Sequence, residues 1–182
     1  MTDAISIILT GGTVDSIDTF VNYDKVSEKS GVGTYLDTLK LHTECSFSNV
    51  CAKDSRELND DDRKEILEAI KNADNDRVLV MHGTYTMGET ARYLLKHVES
   101  IKGKTVVLIG SMTPLEGFWR TDASFNLGFA ISSLSNEEPG VYIAMNGRVF
   151  KGDEVEKNVK KMRFELTEDI PESDLYKPEN SN

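Results

Sequence analysis

The stretch AISIILTGGT, residues 4–13, predicts a buried strand that runs directly into a turn with two glycines. The stretch RVLVMHGTYT, residues 77–86, has the same form, which is an apolar run followed by a glycine turn with a threonine. Apolar runs of this length are typical of interior strands in a parallel sheet, and the carboxyl ends of such strands open onto a ligand crevice. We therefore expect the hydroxyls of Thr13 and Thr84 to face one crevice.

The order of elements predicts one α/β domain. Helix-like stretches lie between most of the strand-like runs, which are residues 4–9, 45–50, 77–81, 105–109 and 140–145. This alternation indicates an open, twisted, mostly parallel sheet with helices on both faces. The chain has 182 residues and 38% apolar composition, which is enough for one domain with a core and short for two.

Three stretches have the apolar spacing of amphipathic helices. The first extends from Asn59, the expected N-cap, to Ala73, and the second begins near Thr86. The third begins at Thr121 or Asp122 and is expected to bury Phe125, Leu127, Phe129, Ala130 and Leu134. Beyond residue 168 apolar side chains are few, so we expect a loosely packed tail or an arm onto a neighbouring subunit.

The charge of the chain argues against several classes of partner. It has 31 acidic and 21 basic residues, a formal net charge of −10, which argues against a nucleic acid or an anionic membrane surface. The start of the chain has no basic leader, and its apolar stretch is too short for a signal core or a membrane span. We therefore expect a cytoplasmic protein whose partner is a small molecule or another protein. Cys45 and Cys51 are expected to be buried or free thiols.

Motifs of several other enzyme classes are incomplete. The glycines of Gly31-Val32-Gly33 lack the third glycine and the preceding strand of a dinucleotide site. Gly103-Lys104-Thr105 is similar to the end of a phosphate-binding loop, but it enters a strand. There is no G-x-S-x-G elbow, and the three histidines lack zinc-type spacing. We therefore expect no metal site.

The two threonine turns remain as candidates for chemistry. A threonine hydroxyl is a poor nucleophile near neutral pH, so it needs a nearby base and donors for the oxyanion that it creates. Gly11, Gly12 and Gly83 have no side chain to block a substrate carbonyl, so backbone N–H groups can approach it closely. For either motif alone, the alternative is that the glycines only make tight turns and the threonines cap helices.

The segments LTGGT at 9–13 and HGTYTM at 82–87 resemble the two signature segments of the bacterial-type L-asparaginases. Further segments resemble the family in order and spacing: DSRELND at 54–60, GSMTP at 110–114 with DASFNL at 122–127, and GVYIAMN at 140–146 with GDEVEK at 152–157. The resemblance implies the fold of the asparaginase N-terminal domain, which is flavodoxin-like or Rossmann-like. It implies a catalytic domain over residues 1–166 and a polar tail over residues 167–182.

The resemblance also implies an activity, the conversion of L-asparagine and water to L-aspartate and ammonia through a threonine acyl-enzyme, without a metal or an organic cofactor. In this pattern Thr13 is the primary nucleophile, and Tyr23 is the lid tyrosine that activates or orients it. Thr84 is the second threonine, and Lys157 is its basic partner. Burial would lower the pKa of Lys157 and make it a base, whereas its spacing alone favours a solvated charge.

Ser55 is implied to bind the substrate α-carboxylate. The other candidates for substrate binding are Gly12, Asp54, Arg56, Gly83 and Tyr85. The choice between L-asparagine and L-glutamine stays open. The two substrates differ by one methylene group, and a pocket discriminates such a difference by about 1–3 kcal/mol. The alternatives are a non-catalytic amino-acid-binding protein and an amidase for another amide, with the loop around Trp119 shaping the pocket.

The chain departs from the family pattern at two positions and in length. Tyr85 stands where the family has an aspartate that contacts the substrate α-amino group and the lysine. Arg56 stands where a glutamine is common, and Asp54 or Glu57 is our candidate for the missing carboxylate. The chain resembles short, single-domain asparaginases without the C-terminal domain, and we expect a homo-oligomer, either a dimer or a tetramer.

Overall fold

The computed structural model describes residues 4–15, 31–117 and 119–178. Its main sheet consists of β1 (Ala4–Gly11), β2 (Glu44–Lys53), β3 (Arg77–Met81), β4 (Thr105–Ile109), β5 (Gly140–Met145) and β6 (Arg148–Lys151). The order is β2-β1-β3-β4-β5-β6, and every neighbouring pair is parallel except β5 and β6. A separate antiparallel pair is formed by β7 (Val155–Asn158) and β8 (Arg163–Leu166). The expected mostly parallel sheet is confirmed.

Helices cover both faces of the sheet, as predicted. They are α1 (Gly31–Leu39), α2 (Asp60–Lys71), α3 (Met87–Lys96) and α4 (Ala123–Leu134). The sequence patterns predict α2, α3 and α4 but miss α1, which contains the incomplete dinucleotide motif. Within the residues described, none of the helices combines the length and the apolar character needed to cross a membrane.

The central strands supply two hydrophobic cores, because neighbouring residues of a strand point to opposite faces. Ile8 of β1 packs in one core with residues of α2 and α3, such as Ile66 and Leu94. Ile7 packs in the other core with residues of α1 and α4, such as Val32 and Leu127. Burial on both faces explains why β1 reads as a continuous apolar run.

The edge strand β2 is largely exposed and carries both cysteines. Cys45 and Cys51 are free thiols of intermediate burial, as expected. Burial raises the pKa of the Cys51 thiol to about 11, and its Sγ donates to the carbonyl of Thr10 at 3.3 Å. Cys51 is therefore a protonated packing residue near neutral pH.

The expected burial of Phe125 and the expected loose packing of the tail are both wrong. Phe125 is 59% exposed, because α4 buries Leu127 and Ala130 on its other side. The described part of the tail packs against its own chain, since Asp174 is buried and Leu175 forms a bridge with Asn158 of β7. Backbone hydrogen bonds hold the tail in addition to its few apolar side chains. One of them joins the Val159 N–H to the Asp174 carbonyl at 2.8 Å.

A capping box begins α2. The side-chain oxygen of Asn59 accepts the backbone N–H of Asp61 at 2.9 Å and of Asp62 at 3.1 Å, and the Asp62 carboxylate accepts the N–H of Asn59 at 3.0 Å. We expect Asn59→Ala to lower the free energy of unfolding by about 1 kcal/mol in urea denaturation, because two helix donors lose their acceptor. Asn72→Ala is the control, since Asn72 caps the other end of α2 through its backbone N–H. Equal losses in the two variants would contradict this account.

Candidate active site

The turns that follow β1 and β3 touch at two glycines. The two strands pair in parallel with Leu9 opposite Met81, so both turns leave the same edge of the sheet. Gly12 has a φ of 80°, and a Cβ atom on it would lie 2.5 Å from the backbone nitrogen of Gly83. Only glycine permits this approach. Thr13 and Thr84, each next in sequence after one of these glycines, therefore lie at the same edge of the sheet.

Ser55 joins the second turn. A Cβ atom on Gly83 would lie 2.6 Å from the Ser55 Oγ, so this glycine also permits a close contact. The Ser55 Oγ accepts the backbone N–H of Tyr85 at 3.2 Å, and the Ser55 carbonyl accepts the Thr86 hydroxyl at 2.6 Å. Ser55 is 1% exposed. Three segments that are distant in sequence thus meet at one place.

Two buried polar side chains, Thr10 and His82, hold the two turns in position, and neither was among the predicted site residues. The Thr10 hydroxyl donates to the carbonyl of Met81 at 2.7 Å and ties β1 to β3. The ring of His82 lies between the carbonyl of Gly83 and the Thr90 hydroxyl, at 2.7 and 2.8 Å. Burial lowers the pKa of His82 to about 4, so the ring is neutral at physiological pH. The sequence signal for both residues is a polar side chain at the end of a buried apolar run.

Lys157 of β7 is the buried cation of the site. It is 3% exposed, and its Nζ donates to the Thr84 Oγ1 at 2.8 Å. Burial lowers the pKa of Lys157 to about 8, while the negative charge of Asp54 acts in the opposite direction. The alternative of a solvated charge is therefore wrong for this lysine.

Asp54 and Arg56 pair with each other at the edge of the site. The guanidinium donates from Nε and Nη2 to the two carboxylate oxygens of Asp54, at 3.0 and 2.8 Å. The backbone N–H of Arg56 adds a third hydrogen bond to the same carboxylate at 2.8 Å. These contacts hold the pKa of Asp54 below its usual range. The Asp54 carboxylate is thus already paired with Arg56. Glu57, the other candidate for the missing carboxylate, is exposed.

Tyr85 contacts both cations and an aromatic side chain of the tail. The Lys157 Nζ lies 3.9 Å from the centroid of the Tyr85 ring, and the Arg56 Cζ lies 5.1 Å from it. Both distances are within the range of cation–π interactions. The ring of Tyr176 lies 5.0 Å from that of Tyr85, centroid to centroid. The sequence does not predict the position of Tyr176, because nothing in a polar tail indicates where it docks.

Asp122 organises the turn after β4. Its carboxylate accepts the backbone N–H groups of Met112 and Thr113 at 3.0–3.1 Å and the side-chain amide of Asn126 at 3.0 Å. The Asn126 amide also donates to the carbonyl of Gly110 at 3.1 Å. Trp119 is 93% exposed, so its ring does not line an enclosed pocket within the described residues.

The site thus combines a buried amine, a threonine hydroxyl that it contacts, and glycine turns. With a pKa near 8, Lys157 exchanges between a charged donor and a neutral acceptor close to physiological pH. Among the described residues, no group of three or more His, Cys, Asp or Glu side chains is placed to hold a metal ion. Tyr23, the expected lid tyrosine, lies outside the described residues.

Two solved structures share the fold. The thermostable L-asparaginase from Thermococcus kodakarensis matches with a TM-score of 0.75 and 24% identity, covering 90% of this chain and 51% of that chain. The probable cytoplasmic L-asparaginase from Campylobacter jejuni matches with a TM-score of 0.76 and 24% identity, covering 96% and 57%.

Curated relatives are similar in sequence. L-asparaginase 2 of Escherichia coli (strain K12) is 30% identical over 163 residues, which are 84% of this chain and 46% of that protein. Glutaminase-asparaginase of Acinetobacter glutaminasificans is 32% identical over 99 residues, 53% of this chain and 29% of that protein. The chain therefore spans less than half the length of these two relatives. A family model described as asparaginase, N-terminal, matches residues 4–170. The chain belongs to the asparaginase family.

Proposed function

We propose that this chain is an amidohydrolase that converts L-asparagine and water to L-aspartate and ammonia through a threonine acyl-enzyme. The observation that carries the proposal is the buried hydrogen bond of 2.8 Å between the Lys157 Nζ and the Thr84 hydroxyl. A lysine is expensive to bury, so its burial against a hydroxyl beside a glycine turn favours a chemical role. Family membership and relatives named L-asparaginase and glutaminase-asparaginase support the same activity.

The proposed reaction begins at Thr13. Its Oγ1 adds to the amide carbon of the substrate, the C–N bond breaks, and ammonia leaves with the proton of the threonine. Water then cleaves the ester, which frees the carboxylate product and returns a proton to the Thr13 Oγ1. Thr84 and the neutral form of Lys157 take the proton from that water, and Tyr23 is proposed as the lid residue that orients Thr13.

The proposed substrate pocket consists of Ser55 and its neighbours. The Ser55 Oγ already accepts the N–H of Tyr85, so its own O–H remains available as a donor to a substrate carboxylate. Backbone N–H groups next to Gly12 and Gly83 are the proposed donors to the amide oxygen, because a glycine has no side chain of its own to block the approach of a substrate. Arg56, Asp54 and Tyr85 complete the wall of the pocket.

We propose further that residues 1–166 are the catalytic domain and 167–182 the polar tail, and that the chain works as a cytoplasmic homo-oligomer, either a dimer or a tetramer, without a cofactor. The Campylobacter jejuni structure is described as a probable cytoplasmic enzyme, which supports the location. The exposed side chain of Phe125 offers an apolar surface that association would cover.

Thr13→Ala and Thr84→Ala are each expected to lower ammonia release from L-asparagine by about 10²-fold or more, because each removes a hydroxyl that takes part in bond making or proton transfer. A coupled ammonia assay with the purified protein measures this, with L-glutamine as a second substrate. Thr34→Ala is the control, since Thr34 is an exposed residue of α1. If the wild-type protein binds L-asparagine but releases no ammonia, it belongs to the amino-acid-binding class instead.

The rate is expected to increase with pH through a midpoint near 8, because the neutral form of Lys157 is the base. Asp54→Asn removes a negative charge that stabilises the ammonium, so the midpoint should move to lower pH. Arg56→Gln removes a positive charge that destabilises it, so the midpoint should move to higher pH. The measurement is kcat/KM between pH 6 and 10. A flat profile, or shifts of the same sign in the two variants, would rule out Lys157 as the base.

A further inference from the structure

The surroundings of Lys157 favour a negative ligand over a zwitterionic one. Its ammonium and the Arg56 guanidinium both lie over the ring of Tyr85, at 3.9 and 5.1 Å from the ring centroid. The electron-rich face of that ring therefore already attracts two positive groups. A third positive group placed there would be repelled by both of them.

The carboxylates that act on Lys157 are engaged by donors of the protein itself. The charged groups whose fields reach its ammonium are Asp54, Arg56 and Asp122. Asp54 accepts three hydrogen bonds from Arg56, two from the guanidinium and one from the backbone N–H. Asp122 accepts backbone N–H groups of the turn after β4 and the amide of Asn126. Each carboxylate thus already accepts hydrogen bonds from three donor groups of the protein, which leaves it little capacity to pair with a ligand ammonium.

The tail holds Tyr85 in this arrangement. Leu175 forms a bridge with Asn158, the residue after Lys157, and Val159 N–H donates to the Asp174 carbonyl at 2.8 Å. The next residue, Tyr176, packs on the ring of Tyr85 with a centroid separation of 5.0 Å. The ring of Tyr85 thus contacts the tail through Tyr176 and the two cations through its π system.

We propose that this site also hydrolyses ω-amides of dicarboxylic acids that carry no α-ammonium group, of which succinamate is the simplest. The inference rests on the proposed amidohydrolase function and extends it to a further class of substrate. Succinamate has the carboxylate and the primary amide of L-asparagine but a net charge of −1 and no ammonium. The chemical step is the same: water replaces the amide nitrogen, and succinate and ammonia are released.

The first test is ammonia release from succinamate and from L-asparagine by the wild-type protein. We expect kcat/KM for succinamate to be at least equal to that for L-asparagine, since the Asp54 and Asp122 carboxylates, whose charges act on Lys157, already accept hydrogen bonds from the protein. A lower kcat/KM for succinamate would overturn the inference while leaving the amidohydrolase function in place. Asp15→Asn then shows whether the buried carboxylate next to the Thr13 turn is the group that binds the ammonium.

The second test exchanges Tyr85. Tyr85→Asp supplies a carboxylate at the ring position, so the ratio of kcat/KM for L-asparagine to that for succinamate should increase at least tenfold, the lower range for a charge-assisted contact. Tyr85→Phe keeps the ring without the hydroxyl and should keep the wild-type order of the two substrates. An unchanged ratio in a folded Tyr85→Asp variant, checked by circular dichroism, would count against the inference.

A binding measurement separates the inference from the proposed function. If the wild-type protein releases ammonia from neither amide, the amidohydrolase function fails. Calorimetric titration of the same protein with succinate and with L-aspartate, the two products, still tests the ligand class. Succinate should bind at least as tightly as L-aspartate, and weaker binding of succinate would overturn the inference whether or not the protein turns over.

Discussion

The backbone contact between Gly12 and Gly83 is the constraint on which the rest of the site depends. Parallel pairing of β1 and β3 brings the two turns to one edge of the sheet, but pairing alone leaves room for side chains between them. Here a Cβ on Gly12 would lie 2.5 Å from the backbone of Gly83, and a Cβ on Gly83 would lie 2.6 Å from Ser55. Any larger residue would separate the segments that carry Thr13, Thr84 and Ser55.

Lys157 reaches this edge from outside the main sheet. It lies on the separate pair of β7 and β8, which packs through Val155 and Phe164 onto the core beneath α2 and α3. A buried ammonium needs partners, and the Thr84 hydroxyl and the Tyr85 ring supply two of them. Burial lowers the pKa of Lys157 to about 8, although the negative charges of Asp54 and Asp122 act in the opposite direction. The amine therefore stays close to the point at which it can give up its proton.

The sequence predicts those strands and helix ends that produce a pattern among neighbouring residues. The two-sided burial of β1 and β3 produces long apolar runs, and Asn59 with Asp62 is a capping signal that the structure contains. β6, β7 and β8 have four residues each, too short for a periodicity to stand out. The sequence of α4 is apolar around most of the helix surface, so it does not indicate which side faces the sheet. For this reason the sequence wrongly places Phe125 in the core.

The candidate site could be predicted as far as collinear motifs extend, and no further. The motifs point to Thr13, Thr84, Ser55 and Lys157 because these residues stand in recognisable segments. They do not indicate that the Arg56 guanidinium would pair with the Asp54 carboxylate, because two neighbouring side chains of opposite charge can equally point into solvent. They also do not indicate that Tyr176 would dock on Tyr85, because that contact depends on the path of the tail.

Tyr85 links the charge of the site to its chemistry. A carboxylate at this position would lie beside the Lys157 ammonium and raise its pKa, since an opposite charge within hydrogen-bonding range favours the charged form. An aromatic ring attracts the same ammonium more weakly than a carboxylate does. Its cation–π interaction is worth about 0.5–2 kcal/mol. With the ring in place, Lys157 remains nearer to neutrality than it would beside an aspartate. A tyrosine at this position therefore leaves a larger neutral fraction of Lys157 near physiological pH, and the neutral amine is the form that we propose as the base.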